Sequence, residues 1–156
     1  MGKEIERKFL IDQQKWDILD KPAGKLFRQG YLLTDKDKTI RVRATETMGF
    51  LTIKGQTVGA TRLEFDYEIP LNEAIELLDN FSQSELSKTR YDITFEGKLW
   101  EVDVFSGDNQ GLIVAEIELE SEDEAFSLPD WINEEVTHEA KYYNSNLTEN
   151  PFKNWG

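Results

Sequence analysis

There is no cysteine in this chain. That excludes disulfides, zinc–thiolate centres and cysteine nucleophiles, and it fits a reducing cytoplasm. The single histidine, His138, lies in a polar stretch near the C-terminus. It reads as a surface residue, and a Ser-His-Asp triad is not expected. No apolar run approaches the roughly 18 residues that a membrane-crossing helix needs. Met1-Gly2-Lys3-Glu4 leads directly into a strand pattern rather than an apolar signal segment, so a soluble, cytoplasmic protein without a membrane partner is expected. The glycine-rich phosphate loops are missing too. Neither G-x-x-x-x-G-K-S/T nor G-x-G-x-x-G occurs, and Gly55-Gln56-Thr57-Val58-Gly59 is not a substitute. Positive charge is scarce, with 18 Lys and Arg against 31 Asp and Glu and a formal net charge of −13. Such a chain makes a poor nucleic-acid binder and a good candidate for divalent cations.

What is present is enough for one globular domain over residues 1–156. Charged residues make up 31% and hydrophobic ones 38%, and the 12% of aromatics exceeds what a disordered chain carries. Two-residue alternation predicts strands over 3–11, 26–33, 39–47, 50–54, 61–69, 86–96, 98–105 and 112–120. Met48-Gly49 and Glu96-Gly97 read as hairpin turns. Asp12 is placed to cap a short helix over 13–19, with Trp16 and Leu19 on its apolar side. Residues 71–81 have a helical period, with Leu71, Ile75, Leu78 and Phe81 on one face. After Pro129, short helices are expected over 131–136 and 139–143, then a polar tail. The fold class is mainly β (α+β). Eight mostly antiparallel strands suffice to close a β-barrel, with a few flanking helices.

The strands share a second property: one face is apolar and the other charged. In the first, Glu4, Glu6 and Lys8 oppose Ile5, Arg7 and Phe9. Further on, Arg41 and Arg43 oppose Ile40, Val42 and Ala44, while Thr52 and Lys54 oppose Leu51 and Ile53. Arg62, Glu64, Asp66 and Glu68 oppose Leu63, Phe65, Tyr67 and Ile69. Lys88 and Arg90 share a face, Glu101 and Asp103 oppose Trp100, Val102 and Val104, and Glu116 and Glu118 oppose Ala115, Ile117 and Leu119. Two physical solutions exist. A sheet could show its charges to water and pack its apolar face on helices. Alternatively, the charged faces could line a wet barrel lumen that holds an anion and metal ions, since unpaired buried charge is prohibitive. Arginine pairs two residues apart suit phosphate, and carboxylates about 7 Å apart along a strand suit Mg²⁺ or Mn²⁺. Both sets on one surface are what a metal–polyphosphate complex requires.

At this point the sequence resembles the CYTH superfamily, the triphosphate tunnel metalloenzymes. The opening E-x-E-x-K, Glu4-Ile5-Glu6-Arg7-Lys8, is similar to that family's hallmark. The likeness continues in order through QGYL (29–32), TIRVR (39–43), LTIKG (51–55) and R-x-E-x-D/E-x-E (62–68). It then runs through KTRY (88–91), WEVDVF (100–105), GLIVAEIEL (111–119), EEVT (134–137) and YYNSNLTENPF (142–152). The resemblance implies an eight-stranded tunnel and Mg²⁺- or Mn²⁺-dependent chemistry on a triphosphate. It implies that Arg41, Arg43, Lys54, Arg62, Lys88 and Arg90 clamp the substrate, and that Glu4, Glu6, Glu64, Asp103, Glu116 and Glu118 hold one or two metal ions. Lys8 matches the lysine thought to assist catalysis, and Tyr31 stands where some compact members pair a tyrosine with it. Asp66 replaces a frequent Glu. Glu64 and Asp66 would orient a water, and Lys8 would either accept its proton, with a pKa lowered by nearby cations, or only bind a phosphate oxygen. Hydrolysis of inorganic triphosphate is the expected activity. Adenylate cyclisation, thiamine triphosphate hydrolysis and a non-enzymatic polyphosphate-binding module are the alternatives. The outer apolar faces would need covering, for which a homodimer is one solution.

Overall fold

The computed structural model describes residues 3–155. Nine strands form one antiparallel sheet: β1 (Lys3–Ile11), β2 (Lys25–Thr34), β3 (Lys38–Ala44), β4 (Gly49–Gly55), β5 (Thr61–Ile69), β6 (Ser84–Phe95), β7 (Lys98–Phe105), β8 (Ile113–Glu118) and β9 (Ile132–Glu135). Three α-helices accompany them: α1 (Gln13–Ile18), α2 (Leu71–Phe81) and α3 (Asn144–Glu149). The order is β5-β4-β3-β2-β6-β7-β8-β1-β9, and β5 also pairs with β1. That last pairing closes an eight-stranded barrel. β1 gives one edge to β8, with Lys8 opposite Glu116. Its other edge is divided: the start pairs with β5, Glu4 opposite Arg62, and the end pairs with β9, Ile11 opposite Ile132.

β9 is a correction, since residues 131–136 were expected to be helical. The second half of β1 would otherwise present unpaired backbone groups, and a short ninth strand satisfies them. The expected helix over 139–143 is only a 3₁₀ turn, Ala140–Tyr142, and the tail contributes α3. The β3–β4 turn also begins earlier than expected. β3 stops at Ala44, and the Thr45 hydroxyl accepts hydrogen bonds from the backbone N–H groups of Thr47 and Met48. The β6–β7 hairpin is as expected, with Glu96 (φ 47°) and Gly97 (φ 78°) making the double left-handed turn that fits strand twist.

Two apolar layers cover the barrel from outside. Phe9, Trp16, Trp100 and Trp131 pack edge to face over β1, β7 and β8. Asp12 caps α1 by accepting from the Lys15 N–H, which delivers Trp16 to this layer. On the other side α2 covers β2, β3 and β4. Its buried contacts are Ala74 and Leu78, whereas Ile75 and Phe81, expected on the core face, are exposed. Two glycines set this rotation. A Cβ on Gly49 would lie 2.6 Å from the Ala74 methyl, and one on Gly30 would lie 2.6 Å from Leu78 Cδ2. The helix backbone settles where the strands have no side chains. Gly49→Ala should therefore lower stability by about 1–3 kcal/mol, the usual cost of overpacking, as read from thermal melts. The outer face of β4–β5 (Ile53, Leu63, Phe65, Tyr67) stays uncovered. Among the described residues no helix is long and apolar enough to cross a membrane.

Candidate active site

Alternation turns one face of every barrel strand inward, and the strand registers decide which charges meet. β1 contributes Glu4, Glu6 and Lys8, β3 contributes Arg41 and Arg43, and β2 contributes Tyr31. Lys54, Arg62, Glu64 and Asp66 come from β4 and β5, and Arg90, Glu116 and Glu118 from β6 and β8. Together they line one cavity of about 240 Å³. The wet-lumen solution, not the solvent-facing sheet, is the one the chain adopts. Lys88 and Asp103 alone among the expected site residues do not line it. Both are buried beneath it, 2.8 Å apart, and Asp103 also accepts from Arg90 Nε (2.7 Å) and Nη2 (2.9 Å). Several lining residues were not singled out as site residues: Thr39, Glu101, Thr137, Tyr143, Asn144 and Ser145. Strand parity alone would have found Thr39 and Glu101.

The cations divide into two classes. Lys8 pairs with Glu116 (3.3 Å), Lys54 with Glu4 (3.3 Å) and Glu64 (3.2 Å), and Arg90 with Asp103, Glu101 (3.1 Å) and Glu116 (3.4 Å). Arg41, Arg43 and Arg62 have no carboxylate partner among the described residues. Arg41 is buried, donates from Nη2 to the Thr52 hydroxyl (3.0 Å), and leaves Nε without an acceptor. Arg43 donates from Nε (3.1 Å) and Nη2 (3.0 Å) to the neutral Gln29 amide oxygen and lies 4.8 Å over the Phe27 ring. Burial, together with Arg41 and Arg90 nearby, pulls its pKa down to about 9. Arg62 donates to the Gly55 carbonyl (3.2 Å). Guanidinium groups enclosed without a counter-charge have the chemistry that suits an anion.

The carboxylates are crowded. Burial first, then Glu116 and Glu4, push the Glu6 carboxyl well above the usual range. Glu64 and Glu118 are raised as well, by burial first and then by carboxylate neighbours. Glu116 is held well below the range, because Lys8, Arg90 and Lys88 outweigh its burial. Glu4 and Glu64 are close enough to shift one another's titration, as are Glu6 and Glu116. Among the described residues no three acidic or imidazole side chains converge, as they stand, into a set that could hold a metal ion.

Lys8 differs from the expectation that nearby cations would lower its pKa. Burial does pull it down, but Glu116 and Glu6 outweigh that and hold it above the ordinary lysine value. Its ammonium also donates to the Tyr142 carbonyl (3.2 Å) and faces the Tyr143 ring. Those contacts mark the blind end of the lumen. One step beyond Lys8, Lys88, Asp103 and Glu116, the inward positions become Leu10, Leu86, Phe105 and Val114. They pack with Val136, Tyr142 and Leu147 into a solid plug, backed by Phe152 and Trp155. The C-terminal segment therefore closes one end of the barrel.

Residues 2–149 match the CYTH domain family. The chain is 50% identical over 156 residues to the inorganic triphosphatase of Acetivibrio thermocellus, covering 99% of each. It is 37% identical over 152 residues to the inorganic triphosphatase of Nitrosomonas europaea, covering 92% of this chain and 95% of that one. The fold is similar to a solved inorganic triphosphatase structure with a TM-score of 0.66, 34% identity and 95% coverage of each chain. It is also similar in fold to a putative adenylate cyclase from Bacillus halodurans, with a TM-score of 0.60, 21% identity, and 79% and 84% coverage.

Proposed function

This chain belongs to the CYTH domain family, and from that premise we propose that it is a metal-dependent hydrolase of inorganic triphosphate. The observation that carries the reading is the set of guanidiniums of Arg41, Arg43 and Arg62, unpaired and turned into one blind cavity. They bind the phosphate oxygens. The cavity, at about 240 Å³, is below the ~300–1,000 Å³ of pockets that enclose drug-sized ligands. A compact polyanion fits, and a nucleoside would have to project from the mouth. The names of the full-length relatives support the same substrate.

The donor set fits Mg²⁺ or Mn²⁺: all-oxygen ligands, crowded so that carboxylate neighbours raise Glu6 and Glu64, a repulsion a cation would relieve. Glu4, Glu6, Glu64, Glu116 and Glu118 would hold one or two ions. When bound, the metal supplies charge neutralisation on the phosphoryl oxygens. Lys8, ion-paired with Glu116 and facing the cavity, acts as a phosphate ligand. Glu64 and Asp66 face the cavity from β5 and orient the attacking water. Arg90, fixed by Asp103, holds a positioned guanidinium at the deep wall. The test is phosphate release from inorganic triphosphate, ATP and thiamine triphosphate, with and without Mg²⁺ or Mn²⁺, beside an assay for cyclic AMP. Metal-dependent release that is strongest with inorganic triphosphate is expected. Cyclic AMP and pyrophosphate from ATP would replace this reading with a cyclase.

A pH dependence follows from Glu6. Its raised folded pKa means its stabilising contribution is full below about pH 4.5 and is lost as pH rises through the raised value. Glu4, Asp103 and Glu116 shift the other way, so their contributions are lost only in acid and stay level at neutral pH. Metal needs the ionised Glu6. Saturating Mg²⁺ should accordingly raise the melting temperature more at about pH 8 than at about pH 5.5, with Glu6→Gln shrinking the difference and Glu64 and Glu118, raised the same way, keeping the remainder. An equal Mg²⁺ effect at both values would argue against Glu6 as a ligand.

A further inference from the structure

Gln29 is fully buried on β2, inside the barrel, and does not line the cavity. It touches two residues that do. Its amide oxygen accepts from Arg43 Nε and Nη2, and its Nε2 lies 2.9 Å from the Tyr31 hydroxyl. The amide cannot be turned round, because a guanidinium only donates. Its NH₂ must therefore face Tyr31, and the tyrosine oxygen must accept there. The hydroxyl proton is then left for some other acceptor, and Tyr31 borders the cavity. At Arg43 the amide is a neutral acceptor. It holds one edge of the fork while the ring of Phe27 supports its face, and it leaves the positive charge uncompensated.

We propose that Gln29 is a positioning residue that sets both Arg43 and Tyr31 as donors toward the substrate's phosphate oxygens, one by holding a cation without neutralising it, the other by occupying the hydroxyl's acceptor side. This rests on the reading of the lumen as a triphosphate site. A carboxylate in the same place would reverse both settings. It would pair with Arg43, and it would accept the Tyr31 proton instead of donating to the oxygen.

The experiment compares wild type, Gln29→Glu, Gln29→Met, Tyr31→Phe and the double variant Q29E/Y31F. The readouts are steady-state hydrolysis of inorganic triphosphate and the melting-temperature rise that inorganic triphosphate induces. Q29E should raise KM about tenfold or more and shrink the ligand-induced rise, while the ligand-free protein melts at or above the wild-type temperature, because Arg43 gains a partner. Y31F should cost about tenfold in kcat/KM in the wild-type background and less than about twofold in the Q29E background, where the hydroxyl is already turned away. Q29M, which keeps the bulk but has neither donor nor acceptor, should also weaken triphosphate binding, and it decides the matter if Q29E does not fold. Wild-type kinetics in Q29M, or Q29E and Y31F effects that simply multiply, would overturn the proposal. A wild type that neither binds nor cleaves inorganic triphosphate would instead overturn the reading of the site.

Discussion

Arg41→Met is expected to give a protein that melts higher than the wild type and hydrolyses inorganic triphosphate at least about a hundredfold more slowly. The two signs come from one fact. Arg41 is buried, has no carboxylate partner among the described residues, and leaves Nε without an acceptor. An enclosed cation in that condition costs stability, and an apolar side chain of similar length removes the cost. The loss on the other side is small. Thr52, which accepts from Arg41, still donates to Asp66 at 2.6 Å. A net gain of about 1–3 kcal/mol follows. For function the same cation is the reward for a polyanion, and one preorganised donor removed from such a site typically costs 10²–10³-fold, on the order of 3–4 kcal/mol. Thermal melts with and without triphosphate, beside a rate assay, read both effects. A Met variant that is less stable than wild type would mean that Arg41 holds the barrel together, and the anion-site argument would lose its main support.

Much of this was legible in alternation alone. Charges at every second residue of strand after strand put Glu4, Glu6, Lys8, Arg41, Arg43, Arg62 and Glu116 on the charged faces of their strands, while the choice between lumen and solvent stayed open until the β5–β1 pairing closed the barrel. Alternation gives the face but not the depth along the barrel. Lys88 and Asp103 have the right parity, yet they lie below the cavity floor and neutralise one another. The clue to depth was present in Leu10, Leu86, Phe105 and Val114, where the inward face changes from charged to apolar and the plug begins. The state of Lys8 was not legible, because the register that sets Glu116 opposite it exists only in the folded sheet. β9 was missed for a related reason. Four residues of strand are specified by the open edge of β1 rather than by their own sequence.

The second large effect concerns Asp103. Its carboxylate receives Lys88 Nζ at 2.8 Å and a two-pronged Arg90 at 2.7 and 2.9 Å, and all three groups are buried. Lys88 and Arg90 hold its pKa below the usual range despite burial. That contribution is complete above the unfolded carboxyl value, near pH 4, and is lost only as pH falls through the lowered folded value. Near neutrality Asp103→Leu removes all of it and leaves Lys88 without its partner, where burial, with Arg90 and Arg43 nearby, already pulls the lysine pKa down to about 7. Glu101 and Glu116 remain for Arg90, but Lys88 is left with no partner at salt-bridge distance. A loss of about 3–5 kcal/mol is expected, or roughly 6–20 °C in melting temperature for a domain of this size. Lys88→Met in the Asp103→Leu background should recover part of it, because the stranded charge goes too. A double-mutant cycle with a coupling above about 1 kcal/mol would establish the pair as an ionic unit. The test also separates two roles for Asp103. If it serves mainly as a metal ligand, Asp103→Leu should leave the metal-free melting temperature unchanged and abolish only the Mg²⁺ effect. If it is the anchor that aims Arg90 at the substrate, the loss should appear in full with no metal present.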